Sequence, residues 1–237
     1  MAVLAALLQP TFADFYSTTF GSGFANGGVI PDGSLVGIQD TRTLSGITFS
    51  SITDVDVRLT INGSWNGDLY AYLVHSSGFT ILLNRVGRSA SSPFGYGDGG
   101  FNVTFDDQAT RTVDFHSYQT APGFTGADLT GGARWRPDGR NIDPTSSGAT
   151  FDATTPTALL SSFNGLNPNG SWTLFLADVS GGAVSTVTSW GLDITGIAAV
   201  PEPPSFIEGG MAVLVIGTMI TMFRLRKAQV QLALRPC

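Results

Sequence analysis

Residues 54–62 read Asp54-Val55-Asp56-Val57-Arg58-Leu59-Thr60-Ile61-Asn62, apolar at every odd position and polar at every even one. Successive side chains of an extended strand point to opposite faces, so this pattern specifies a half-buried β-strand. Burying Val55, Val57, Leu59 and Ile61 is favourable by roughly 1.5–3 kcal/mol each. That gain requires a second layer to cover them. Gly63-Ser64-Trp65-Asn66-Gly67-Asp68 follows, a turn rich in residues that accept positive φ or bond their own backbone. Leu69–His75 and Phe79–Arg85 then read as two more strands, and the three are expected to form an antiparallel meander.

Composition extends this reading to the rest of the chain. Up to Val200 there is no Lys and no Glu, two good helix formers, while Gly, Ser, Thr and Asp abound. Strands are expected at Leu44–Phe49, Phe101–Phe105, Arg111–Phe115, Ala133–Trp135, Ala149–Phe151, Ser171–Asp178 and Val184–Gly196. Ser171–Asp178 is apolar on both faces and should be central; Trp190, Leu192 and Ile194 should share one face of the last strand. Phe15–Asp40 and most of Ser117–Thr150 read as irregular. Many short strands punctuated by Gly, Pro and Asn indicate an all-β sandwich of the jelly-roll kind.

Charge excludes one class of partner. Sixteen Asp stand against eight Arg up to Val200, and the whole chain carries −6 at pH 7. Phosphate binding needs the opposite sign, so nucleic acid is not expected. The single Cys, Cys237, allows neither an intrachain disulfide nor a cysteine metal cluster.

The two ends read differently from the middle. Ala2–Leu8 is an apolar run followed by small residues at Thr11-Phe12-Ala13, so residues 1–13 read as a secretory signal lacking a positive n-region, against the alternative of a buried β-edge segment. Residues 14–198 are the β-domain and 199–208 a Pro-rich linker. Gly209–Phe223 is uniformly apolar and Pro-free, and reads as a single C-terminal transmembrane helix. Arg224, Arg226 and Lys227 flank it, so residues 224–237 should form a basic cytoplasmic tail with the β-domain outside.

Candidate chemistry is sparse. Only His75 and His116 could serve as a side-chain imidazole base, and no Gly-x-Ser-x-Gly elbow occurs. His75 falls in phase with Leu69, Ala71 and Leu73, the pattern of a sheet-end histidine. His116 lies near Asp114 and Ser117, but neighbours along a strand face apart. No catalytic group is therefore assigned. Asp98, Asp106 and Asp107 flank a glycine-rich loop and offer hard oxygen ligands, a candidate Ca²⁺ site, against the alternative of solvated turn aspartates. Trp65, Tyr70 and Tyr72 are the candidate ligand-binding aromatics; Trp172 and Trp190 read as core.

Two stretches resemble known families. Ile52–Leu59 with Gly67-Asp68-Leu69-Tyr70-Ala71-Tyr72-Leu73 is similar to one patch of the P domain (Homo B domain). That domain follows the catalytic domain in subtilisin-like proprotein convertases and many bacterial proteases. Phe163-Asn164-Gly165, Gly170-Ser171-Trp172-Thr173-Leu174, Asp178 and Ser189-Trp190-Gly191-Leu192 resemble the family's closing pattern. Asn102–Asp107 looks like a segment common in bacterial members. The likeness spans roughly Gly46–Gly196; the stretch linking the patches is longer and more irregular here. It implies a jelly-roll sandwich, and it does not imply protease activity.

Pro201-Glu202-Pro203, the apolar span and the Arg224, Arg226, Lys227 cluster resemble the PEP-CTERM sorting signal of Gram-negative bacteria. That implies transient anchoring in the inner membrane, recognition by an exosortase, and delivery to the cell envelope or its exopolysaccharide. Ala228–Cys237 departs from the usual signal, which stops at the basic cluster. Three readings follow: an exported non-catalytic surface or matrix protein; a carbohydrate-binding or adhesive module; and a hydrolase or an accessory piece of a subtilisin-like protease.

Overall fold

The computed structural model describes residues 13–198; the expected signal except Ala13, the Pro-rich linker, the membrane span and the basic tail lie outside them. Among the described residues no helix is long and apolar enough to cross a membrane. The strands are β1 (Ala13–Phe20), β2 (Ser34–Leu44), β3 (Ser51–Asn62), β4 (Leu69–His75), β5 (Gly78–Asn84), β6 (Phe101–Phe105), β7 (Ala133–Trp135), β8 (Gly170–Asp178) and β9 (Thr186–Ile197). One short helix, α1 (Gly148–Ala153), and several single 3-10 turns complete the described chain.

The strands form two layers of an all-β sandwich. A five-stranded sheet runs β1-β9-β3-β6-β7 and a four-stranded sheet runs β2-β8-β4-β5. The pairs are nested: β1 with β9, β2 with β8, β3 with β6 and β4 with β5, all antiparallel. The chain thus behaves as one long hairpin folded over itself, with each arm stepping from sheet to sheet.

The alternation of residues 54–62 is realised at its apolar positions, although Asp56 is buried too, at 8% exposure. Val55, Val57, Leu59 and Ile61 are all at most 1% exposed. They face Leu69, Ala71, Leu73, Leu174 and Leu176 in one continuous core. Ser171–Asp178 is central, with β2 on one side and β4 on the other. Trp172 and Trp190 are fully buried, as is Trp135. Trp190, Leu192 and Ile194 share the buried face of β9.

Five expectations are corrected. The meander is not one sheet, because β3 belongs to one layer and β4–β5 to the other. The 63–68 turn carries the chain between layers, and the buried faces of β3 and β4 cover each other. Phe15–Asp40 is not irregular throughout: β1 covers it as far as Phe20 and β2 runs from Ser34 to Leu44, so the strand expected at Leu44–Phe49 is not formed beyond Leu44, where β2 ends. Arg111–Phe115 is not a strand; Phe115 opens a 3-10 turn, and its buried ring packs at 5.1 Å from Phe105 without a strand partner for the backbone. Ala149–Phe151 lies in α1, started by Ser147, whose hydroxyl accepts from the Thr150 N–H at 3.2 Å.

Candidate functional site

The crossing between the two layers builds a cleft. Trp65 adopts φ 64°, ψ 71°, left-handed backbone that a bulky residue rarely occupies. Its indole Nε1–H donates to the Phe94 carbonyl at 3.0 Å. Its ring lies against Gly97, where a methyl group would meet it at 3.3 Å. The next residue fixes the loop: buried Asn66 donates from Nδ2 to Gly100 O at 3.2 Å and accepts from Gly100 N at 2.9 Å. Gly67 N donates to Tyr96 O at 2.8 Å. Trp65 is 41% exposed and Phe94 66% exposed. With Asp68, Ser180, Gly181, Gly182 and Ala183 they line a cleft of about 380 Å³.

Charge lies behind this cleft. Asp68, Arg85 and Asp178 are all buried. Arg85 donates from Nε to Gly67 O at 2.6 Å and from Nη2 to Asp68 Oδ1 at 3.4 Å. Asp178 Oδ1 accepts from Ser180 N at 3.3 Å, while its Oδ2 is buried without a partner. Burial first, and then the neighbouring Asp68 and Asp32 charges, push the Asp178 carboxyl up to about 6 against the Ser180 N–H and Arg85. Asp32 accepts from Gly182 N with both oxygens, at 3.1 and 3.0 Å.

The three aromatics singled out from sequence do not form one grouping. Trp65 associates with Phe94 and Gly97. Tyr70 and Tyr72 stand half-buried on the outer face of the four-stranded sheet, where Tyr72 stacks on Phe175 at 4.8 Å and meets Phe79 at 5.5 Å. Tyr70 lies edge-on to both Tyr72 and Phe175. Burial pushes the Tyr70 hydroxyl up to about 12, so it stays a neutral donor.

The three candidate Ca²⁺ carboxylates are likewise apart, bracketing opposite ends of β6. Asp98 accepts from Tyr118 OH at 2.8 Å and Gln119 Nε2 at 2.5 Å. Asp106 accepts from Arg134 Nε and Gln108 N, both at 2.7 Å. Asp107 caps a turn instead, accepting from Leu160 N at 3.2 Å and Ser161 N at 2.8 Å. Among the described residues no group of three or more His, Cys, Asp or Glu side chains is arranged to hold a metal ion.

Both histidines are buried. His75 stacks on Trp172 at 4.0 Å, and its ring nitrogens face the carbonyls of Ser171 and Asn167 at 2.9 and 2.6 Å. His116 pairs through Nδ1 with Asp138 at 2.7 Å, and its Nε2 faces Arg88 O at 3.1 Å. Burial alone would lower the His116 pKa, but the Asp138 charge and hydrogen bond outweigh it and raise it. Asp138 also holds Arg140 at 3.2 Å, and Arg140 in turn holds Asp114 at 3.1 Å. This network borders a cavity of about 440 Å³ lined by Arg88, Ser89, Ser92, Tyr96 and Asp152. Nothing in the sequence announced Asp138 as the partner of His116. Asp114, the neighbour along the chain, reaches Arg140 instead.

No protein-family model matches the chain, and no curated protein matches it. Among solved structures it is weakly similar to the serine protease of Aeromonas sobria in complex with the chaperone ORF2, with 17% identity over 81% of this chain and a TM-score of 0.41. It is similar to a structure of that protease described without the chaperone at 14% identity over 80% of this chain, again with a TM-score of 0.41. In both cases the chain spans only 28% of the length of the protein it is compared with.

Proposed function

We propose that the chain is an exported, non-catalytic β-sandwich module, P-domain-like and jelly-roll in topology, delivered to the cell envelope by its PEP-CTERM-like tail. The observation that carries this reading is the meeting of the two P-domain-like patches, which lie about a hundred residues apart in the chain. Leu59 pairs with Trp190 and Val57 with Leu192. Leu69 pairs with Asp178, and Leu73 with Leu174. The nested strand pairing supports the jelly-roll topology. The buried setting of His75, with both ring nitrogens facing main-chain carbonyls, supports a structural role for that residue.

Fractionation of cells producing the tagged chain tests the export reading. Protein in the envelope or medium is the expected result; a chain confined to the cytosol overturns it. Intact mass of the mature product should show loss of residues 1–13 and cleavage near Pro201-Glu202-Pro203.

One observation favours a second, adhesive reading. Tyr70, Tyr72, Phe79 and Phe175 form a half-buried aromatic strip across three strands, a surface of the kind on which sugar rings stack. Glycan-array binding that is lost in Tyr72→Ala would support polysaccharide as its ligand, and a blank array would remove it.

A further inference from the structure

We propose that the cleft between Trp65 and Phe94 binds a small organic cation, a quaternary ammonium group. The inference rests on what the cleft offers and what it withholds. It offers two exposed aromatic rings whose faces attract positive charge. Trp65 is held by its indole hydrogen bond and its packing on Gly97, so the platform is set before a ligand arrives. Asp68 lines the cleft, Asp32 bonds Gly182 of its lining, and Asp178 lies beside Asp68, three carboxylates of which only Asp68 is salt-bridged, to Arg85. That imbalance of charge complements a cation.

Several of the cleft's N–H donors are already spent. The Trp65 N–H is spent on Phe94 O, the Gly182 N–H on Asp32 and the Ser180 N–H on Asp178. Asp68 Oδ1 is engaged by Arg85, and the two Asp32 oxygens share the one Gly182 N–H. A saccharide needs several donors and acceptors to replace the water on its hydroxyls. A primary ammonium or guanidinium must also pair each of its N–H groups, which aromatic faces do not do. A quaternary ammonium needs neither, only aromatic faces and a negative field. This binding is independent of the export reading and of whether the tail is cleaved.

Tetramethylammonium chloride is the probe, titrated into the full chain at constant ionic strength, with neopentyl alcohol as a water-soluble neutral counterpart that is larger by one hydroxyl. Trp135, Trp172 and Trp190 are at most 1% exposed, so a change in tryptophan emission reports Trp65. The expected result is a saturable change with tetramethylammonium, and binding about tenfold weaker in Phe94→Ala. Calorimetry of Trp65→Gly, which relieves the left-handed backbone while removing the platform, should show binding abolished in a folded protein. Equal binding of neopentyl alcohol, a non-saturable response, or unchanged binding in either variant overturns the proposal.

Discussion

Trp65 and Trp190 show how differently one residue type can be used. Trp65 is displayed on a left-handed backbone, whereas Trp190 is 1% exposed, packs 4.8 Å from Phe20 and donates its indole N–H to Asp40 at 2.6 Å. Removing a buried tryptophan leaves a cavity, so Trp190→Ala should cost about 3–5 kcal/mol, read as a shift of the urea unfolding midpoint. Asp40 would keep the Arg42 guanidinium at 2.7 Å, so the loss reflects packing more than an orphaned carboxylate. At position 65 the comparison that isolates the backbone is Gly against Ala. Both variants lack the indole, but only Ala retains the clash of a Cβ with left-handed geometry. Trp65→Gly should therefore be more stable than Trp65→Ala by about 1 kcal/mol in the same assay.

At the scale of the element, β2 depends on one irregularity. Its register against β8 shifts between Ser34 and Ile38, and Gly37 sits within that bulge at φ 57°. A methyl there would come within 2.2 Å of Leu176 O and 2.8 Å of the Phe175 ring. Gly37→Ala should cost roughly 2–3 kcal/mol through strain and backbone displacement. Hydrogen exchange should locate the damage, with β2 amides exchanging faster and those of β3 and β9 little changed at the same denaturant distance from the midpoint. β1 shows why strands at sheet edges are hard to read. Most of its side chains are exposed or half-exposed, so little burial existed for a period of two to encode. Its strand state is imposed by eight consecutive pairings with β9.

For the whole molecule, buried ionisable groups set the dependence of stability on pH. The Asp56 and Asp178 carboxyls are both pushed up to about 6, mainly by burial. An acid with a raised folded pKa favours the fold below its ordinary value of 3.8, and that advantage is gone once pH has passed about 6. His116 acts in the same direction at higher pH. Its folded pKa is raised, so its contribution is complete below its ordinary value of 6.5 and is lost as pH rises through the folded value. The melting temperature should therefore be higher near about pH 5 than near about pH 8. His116→Gln should flatten the decline on the alkaline side, and Asp178→Asn the decline on the acidic side. A melting temperature that rises from the acidic to the alkaline buffer would contradict this assignment. His116 also ties parts of the structure together, since its ring joins Asp138 to the Arg88 loop and Asp138 Oδ2 accepts the Asn84 N–H of β5 at 3.1 Å.

The sequence by itself determined the β class, the strands β3, β4, β5, β6, β8 and β9 to within a few residues, and the burial of Trp172 and Trp190. In those segments burial of one face or both writes itself directly into the order of apolar and polar residues. It also placed Trp65 in a turn, where it is 41% exposed. Only the tertiary structure decided that β3 and β4 part into different sheets, that Trp65 belongs with Phe94 rather than with Tyr70 and Tyr72, and that Asp98 lies apart from Asp106 and Asp107. It alone matched His116 with Asp138, 22 residues on. Periodicity records which face of a segment is covered but not what covers it. Partners across a sandwich are chosen by long-range packing of the whole chain, which no local pattern contains.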